Sequence, residues 1–169
     1  MFEPDLVVTA RDSTEPYVVV EVKLDRDSLL AAEEPMREYM VRNNFALGML
    51  VAPGEMRLYR NRFSSYESDG VERIGVYPFD GLAAALSDER LGSTSESAAR
   101  RTAHRLAAIL ETAVEHWLQT LPHADLSGAN PELRRVLQQE FAPYVRDGVV
   151  RAAHQRFPTL RASDGRHAS

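Results

Sequence analysis

The sequence predicts a mixed α/β sheet followed by a helical region, and three observations carry that reading. Leu6-Val7-Val8-Thr9 and Tyr17-Val18-Val19-Val20-Glu21-Val22-Lys23 are short β-branched runs of the kind that form paired strands. Residues 45–52, Phe-Ala-Leu-Gly-Met-Leu-Val-Ala, are almost continuously apolar and short enough for a strand buried on both faces. Beyond residue 92 the apolar positions recur at steps of four and three, the spacing of long amphipathic helices.

In chain order, the first two strands flank a polar stretch, residues 10–16, and read as a hairpin with a longer loop. Residues 25–44 follow with a helical pattern whose apolar members are Leu29, Leu30, Met36, Tyr39 and Met40. Pro35 lies inside it and removes a helix hydrogen bond, so a kink is expected, or a break with Pro35 opening a second helix. After the buried strand, Pro53-Gly54 signals a turn and Met56-Arg57-Leu58-Tyr59-Arg60 alternates as a half-exposed strand. Residues 73–77 make a further strand and residues 79–86 a short helix. Strand, strand, helix, strand, strand, strand is the order of a mixed sheet.

Gly92-Ser93-Thr94-Ser95 reads as a linker, and Ala99, Ala103, Leu106, Leu110, Ala113, Trp117 and Leu121 form the seam of a long helix that ends at Leu121-Pro122. Packing on the sheet and on the following helices is favoured for this seam, with burial against a second copy as the alternative. Asn130-Pro131 has the form of an N-cap followed by proline at the first helical position. Leu133, Val136, Leu137, Phe141 and Tyr144 supply that helix's buried face. Pro143 and Gly148 set off a third helix over residues 149–157. The expected organisation is an α/β core over residues 1–91, a helical region over 92–160 and a frayed tail over 161–169.

Composition narrows the function classes. The chain has 169 residues, 44% apolar and 27% charged, close to an ordinary globular domain. It has no cysteine, which removes disulfides, zinc ribbons and thiol nucleophiles. No apolar run approaches the roughly 18 residues of a membrane span, and the first residues carry no secretory signature, so a cytoplasmic protein is expected. A net charge of −5 argues against coating nucleic acid by bulk charge, while leaving room for a local patch or a metal site rich in carboxylates.

Strand alternation assigns faces. Leu6, Val8, Val18, Val20 and Val22 make one apolar face; Asp5, Val7, Thr9, Tyr17, Val19, Glu21 and Lys23 make the other, charged at one end. A hairpin centred on Ser13 sets Asp5 opposite Glu21 and Glu3 opposite Lys23. Directly opposed carboxylates repel unless a positive charge lies between them. A divalent cation is the natural candidate, with Asp5, Glu21 and the Val22 backbone carbonyl as oxygen ligands. Lys23, two residues beyond Glu21 on the same side, can orient a water nucleophile or stabilise charge on a phosphate oxygen. The bland reading is a cross-strand charge cluster, worth about 0–1 kcal/mol.

Pro4-Asp5 and then a hydrophobic strand ending in Glu21-Val22-Lys23 resembles the PD-(D/E)xK nuclease superfamily. The Tyr39 helix, the strand at residues 45–52 and Gly54-Glu55-Met56-Arg57-Leu58-Tyr59 look like the N-terminal nuclease domain of type I restriction R subunits and related restriction-like proteins. The resemblance covers roughly the first half of the chain. It implies a restriction-endonuclease-like fold and metal-dependent DNA cleavage in restriction or phage defence. Asp5 and Glu21 would bind Mg2+, or Mn2+, with Lys23 as catalytic lysine. The sequence departs from the family in two places. The relatives have a helix before the Pro-Asp strand, which often adds an acidic residue. Here Met1 lies almost on the motif, so C-terminal helices or a second subunit are expected in its place, or an open layer. The relatives also often carry Gln four residues before the helical Tyr, where this chain has Pro35, preceded by Glu34.

Other candidates are weaker. Arg57, Arg60 and Arg62 near the sheet end, and Arg100, Arg101 and Arg105 at the start of the long helix, are candidates for DNA contact; for the second group a solvated helix face is the simpler reading. The five histidines lack metal-pair spacing, and Trp117 reads as a core or interface residue. The sequence thus points to a metal-dependent DNA nuclease. The alternative is a catalytically inactive nuclease-like module that binds nucleic acid or a partner protein within a larger complex, with the helical region serving a homodimer or partner subunit.

Overall fold

The computed structural model describes residues 1–80 and 96–153, among which six strands form one mixed sheet. In chain order the elements are β1 (Leu6–Ala10), β2 (Pro16–Val22), α1 (Arg26–Asn43), β3 (Leu47–Ala52), β4 (Gly54–Asn61), β5 (Val71–Phe79), α2 (Glu96–Thr120), α3 (Pro131–Val136), α4 (Ala142–Asp147) and β6 (Gly148–Ala152). Across the sheet the strands run β5-β4-β3-β2-β1-β6, with β2 and β3 parallel and the other neighbours antiparallel. The parallel pair arises because α1 carries the chain over one face between β2 and β3. The expected helix after Phe79, the linker at 92–95, the Ala99 side chain and the tail at 161–169 lie outside the described residues, except that Phe79 itself closes β5.

Each sheet face has its own core. Leu29, Ala32, Met36 and Met40 of α1 pack on Val7, Val19, Leu50 and Tyr59. Leu110, Val114 and Leu118 of α2 and Leu133 and Val136 of α3 pack on Leu6, Val8, Val18, Val20, Met49 and Leu58. Helices from the second half of the chain therefore cover this face. The α2 stripe is turned slightly from the expected seam. Leu110 and Leu121 are buried as read and Trp117 packs edge-on against Phe79 at 5.1 Å, but Val114 and Leu118 form the centre and Ala103 is exposed.

Helix α1 starts at an Asp25 cap, whose carboxylate accepts from the Ser28 amide at 2.7 Å, and ends at Asn44 in the left-handed conformation. It runs unbroken through Pro35, so of the two expected outcomes, a kink or a break, the break does not occur. Losing one backbone bond is offset because Ala32, Met36 and Met40 on either side are all held against the sheet. Gly48 lets α1 sit close, since a Cβ there would lie 2.5 Å from Met40 Sδ.

The segment expected as a third helix over residues 149–157 is strand β6 as far as Ala152; residues 154–157 lie outside the described residues. The β-branched pair Val149-Val150 follows Gly148 and meets the open edge of β1, where five residue pairs form from Leu6↔Ala152 to Ala10↔Gly148. Among the described residues no helix is long and apolar enough to cross a membrane.

Candidate active site

The β1–β2 register brings the candidate residues together. Leu6 pairs with Val20, Val7 with Val19 and Val8 with Val18, the pairing expected from a hairpin centred on Ser13. A bulge shifts the register between Val8 and Thr9, on the loop side, and leaves the other end undisturbed. Continued one step past Leu6, that register sets Asp5 opposite Glu21. Asp5 Oδ2 accepts a hydrogen bond from the Val22 amide at 2.7 Å, so the side chain crosses from the start of β1 to the end of β2. Val22, whose carbonyl is the expected third ligand, closes β2 beside Val51, and the ladder extends one bond further through Lys23 N–H to the Val51 carbonyl at 2.9 Å.

Glu21 is 3% exposed on a strand whose neighbours are apolar. Its Oε1 is in ion-pair contact with Lys23 Nζ, while Oε2 is buried with no hydrogen-bond partner. Burial and then the Asp5 charge push the Glu21 carboxyl up to about 7, against the pull of Lys23 and of the Asp5 backbone. At Lys23 burial works to lower the ammonium's affinity for its proton, yet Glu21, Asp5 and Glu111 together raise it, so the lysine stays charged. Lys23 thus pairs with Glu21 rather than with Glu3, and sits within a field of three carboxylates: Asp5 just before β1, Glu21 of β2 and Glu111 of α2.

Two further residue features bear on the site. Glu111 has no signature in the sequence, because only the packing of α2 on the sheet brings its charge to bear on Lys23. Lys23 is also the sole lysine among the chain's 20 basic residues; all the others are arginine. A compact ammonium offers donors and a titration range that guanidinium does not, so its place in the motif is chemically pointed.

The basic candidates disperse. Arg57 is not a surface residue: it is 4% exposed, turned towards α1, and pairs with Glu33 at 3.1 Å and Glu55 at 3.4 Å. Its alternating position faces the α1 side of β4, and the helix covers that face. Arg60 makes a two-pronged contact with Glu140 and a further pair with Glu72 at 3.5 Å, and Arg62 pairs with Glu72 at 2.6 Å. Arg100, Arg101 and Arg105 lie exposed on the first half of α2. Glu34 pairs with Arg37 and takes a hydrogen bond from the Ser68 hydroxyl.

Among the described residues no group of three or more His, Cys, Asp or Glu side chains is arranged to hold a metal ion. The donor set at the sheet end is two carboxylates with hard oxygens, one of them orphaned. That suits Mg2+, which commonly takes one or two carboxylates and completes its shell with water and substrate phosphate. Comparison with protein-family models, curated proteins and solved structures finds no match to this chain.

Proposed function

We propose that this protein is a metal-dependent nuclease of restriction-endonuclease-like fold that hydrolyses DNA phosphodiester bonds, with Asp5, Glu21 and Lys23 as its working residues. The observation that carries the reading is the buried, unpartnered Glu21 Oε2 beside Asp5, at a sheet end whose adjacent cation is the chain's sole lysine. Two opposed carboxylates in that setting raise each other's energy, and a site that keeps them gains by binding a cation. Mg2+ or Mn2+, when bound, would neutralise charge on the scissile phosphate and make a coordinated water more acidic. Asp5 and Glu21 would hold it, with the Val22 carbonyl.

The remaining chemistry falls to Lys23. Its ammonium has three donors, enough to hold the attacking water and a non-bridging phosphate oxygen at once while keeping its bond to Glu21. The water oxygen bonds to phosphorus, the bond from phosphorus to the leaving sugar oxygen breaks, and a proton passes to that oxygen. The order of strands and helices and a role in restriction or phage defence follow the family resemblance.

A second reading keeps the fold without the chemistry: a module that binds nucleic acid or a partner protein. The absence of a third carboxylate ligand among the described residues favours it. Incubating DNA with the protein in Mg2+ or Mn2+, beside Lys23→Ala and Asp5→Asn, separates the two. Loss of cleavage in both variants supports the nuclease; equal cleavage by all three removes the assigned site. No cleavage by any, with no rise in melting temperature on adding divalent cation, leaves the binding module.

A further inference from the structure

The sheet register sorts the arginines by end. Strand β3 runs parallel to β2, with Leu47 beside Val18 and Val51 beside Val22, and Arg60 pairs with Leu47. Arg60 therefore belongs to the end of the sheet away from Glu21, and Arg62 follows it. Both are also held by short contacts to Glu140 and Glu72. A phosphate at Glu21 and Lys23 is out of their range, and Arg57 is buried.

The Glu21 end offers a different cation. Three residues after Lys23, Arg26 opens α1, at most about 11 Å away by chain length alone. Its side chain is 72% exposed, and its ion pair with Glu55 is long, 3.8 Å from Nε to Oε2, beyond hydrogen-bond reach. A groove of about 390 Å³ is lined by Arg26, the Pro53-Gly54 turn, Glu55, and Val76 and Pro78 of β5. At Gly54 there is open space where a side chain would stand, so a ligand's backbone can come close to the turn.

We propose that Arg26 and this groove position the nucleic-acid strand beyond the reacting phosphate, with Arg26 binding the adjoining backbone phosphate. The inference rests on the nuclease reading and extends it to the path of the strand. Asp25, Asp27 and Glu55 add negative charge beside the pair of Asp5 and Glu21, and Arg26 is an accessible cation at this end beyond Lys23. Releasing Arg26 breaks a contact too long for a hydrogen bond; Glu55 Oε1 keeps its pairing with Arg57 at 3.4 Å, while Oε2 stays buried without a hydrogen-bond partner. The apolar walls supplied by Pro53, Val76 and Pro78 suit sugar faces rather than charged groups.

The test is fluorescence anisotropy with labelled duplex and single-stranded oligonucleotides, in calcium so that strands stay whole, across a salt series. Arg26→Ala should weaken binding by about tenfold or more and reduce the slope of log affinity against log salt by about one. Arg26→Lys should retain the slope, and Arg60→Ala and Arg62→Ala should bind as wild type. An Arg26→Ala protein with unchanged melting temperature, affinity and salt slope would overturn the assignment of Arg26 while leaving the nuclease reading intact. A wild-type protein that binds neither oligonucleotide would overturn both.

Discussion

The Asp5 carboxylate accepts the Val22 amide at 2.7 Å, so one side chain both faces the Glu21 charge and terminates the β1–β2 pairing. These two roles separate by mutation. Asp5→Asn keeps an acceptor for the amide and removes the like charge, so stability should hold within about 1 kcal/mol or rise, while cleavage falls at least about a hundredfold. Asp5→Ala should lose activity equally and also cost about 1–3 kcal/mol in urea denaturation, because the amide is left without its partner.

The Glu21 carboxyl, raised from 4.5 to about 7, makes stability depend on pH. A carboxyl whose folded value lies above its unfolded value holds its proton more tightly when folded, so the folded state loses ground as pH rises from 4.5 through 7. Glu21→Gln cannot ionise and should escape that loss. Its melting temperature should match or fall below wild type at pH 4 and exceed it at pH 8, by an amount equivalent to roughly 2–3 kcal/mol. A constant difference across that range would contradict the buried, opposed arrangement.

Because Lys23 is the sole lysine, amine-reactive reagents have one ε-amine to find besides the N-terminus. Its proton affinity is raised by Glu21, so acylation at pH 8, followed by mass spectrometry, should be slower than that of a free lysine and faster in Glu21→Gln. Lys23→Arg should keep the fold but fail to restore cleavage, since the larger planar group cannot occupy the place of a compact ammonium beside buried Glu21.

Two glycines differ in what they protect. A Cβ at Gly48 meets Met40 Sδ at 2.5 Å and Met36 Cε at 3.0 Å, side chains that can yield, so Gly48→Ala should cost about 1–2 kcal/mol. A Cβ at Gly148 meets the Tyr144 carbonyl at 2.6 Å and the Thr9 carbonyl at 2.8 Å, which are backbone. Gly148→Ala should cost more, about 2–3 kcal/mol, and raise amide exchange along β1 and β6.

Local patterns made much of this molecule legible. Alternation in the first two strands set the buried face, because a one-residue slip would turn Val8, Val18 and Val20 out of the core, and centring the hairpin on Ser13 supplied the register that opposes Asp5 and Glu21. The Asn130-Pro131 start was readable for the same local reason: the Asn130 side chain accepts from the Glu132 amide at 2.9 Å. What escaped was set by distant parts of the chain. Strand β6 is too short to announce itself and owes its form to the open edge of β1, and Arg57 is enclosed by its pairing with Glu33 of α1, which only the packing of helix on sheet creates. The charge of Glu111 on Lys23 has no local signature at all.

The placement of β6 also bears on how the protein is made. The Asp5 carbonyl accepts the Ala153 amide at 2.9 Å, and β1 is flanked by β2 on one side and by β6 on the other. A nascent chain that has not yet released residues 148–153 from the ribosome lacks the neighbour that fixes the start of β1. Synthesis thus delivers Asp5 well before residues 148–153, the segment whose Ala153 amide it later accepts, and the pairing at the start of β1 is completed only when that segment arrives.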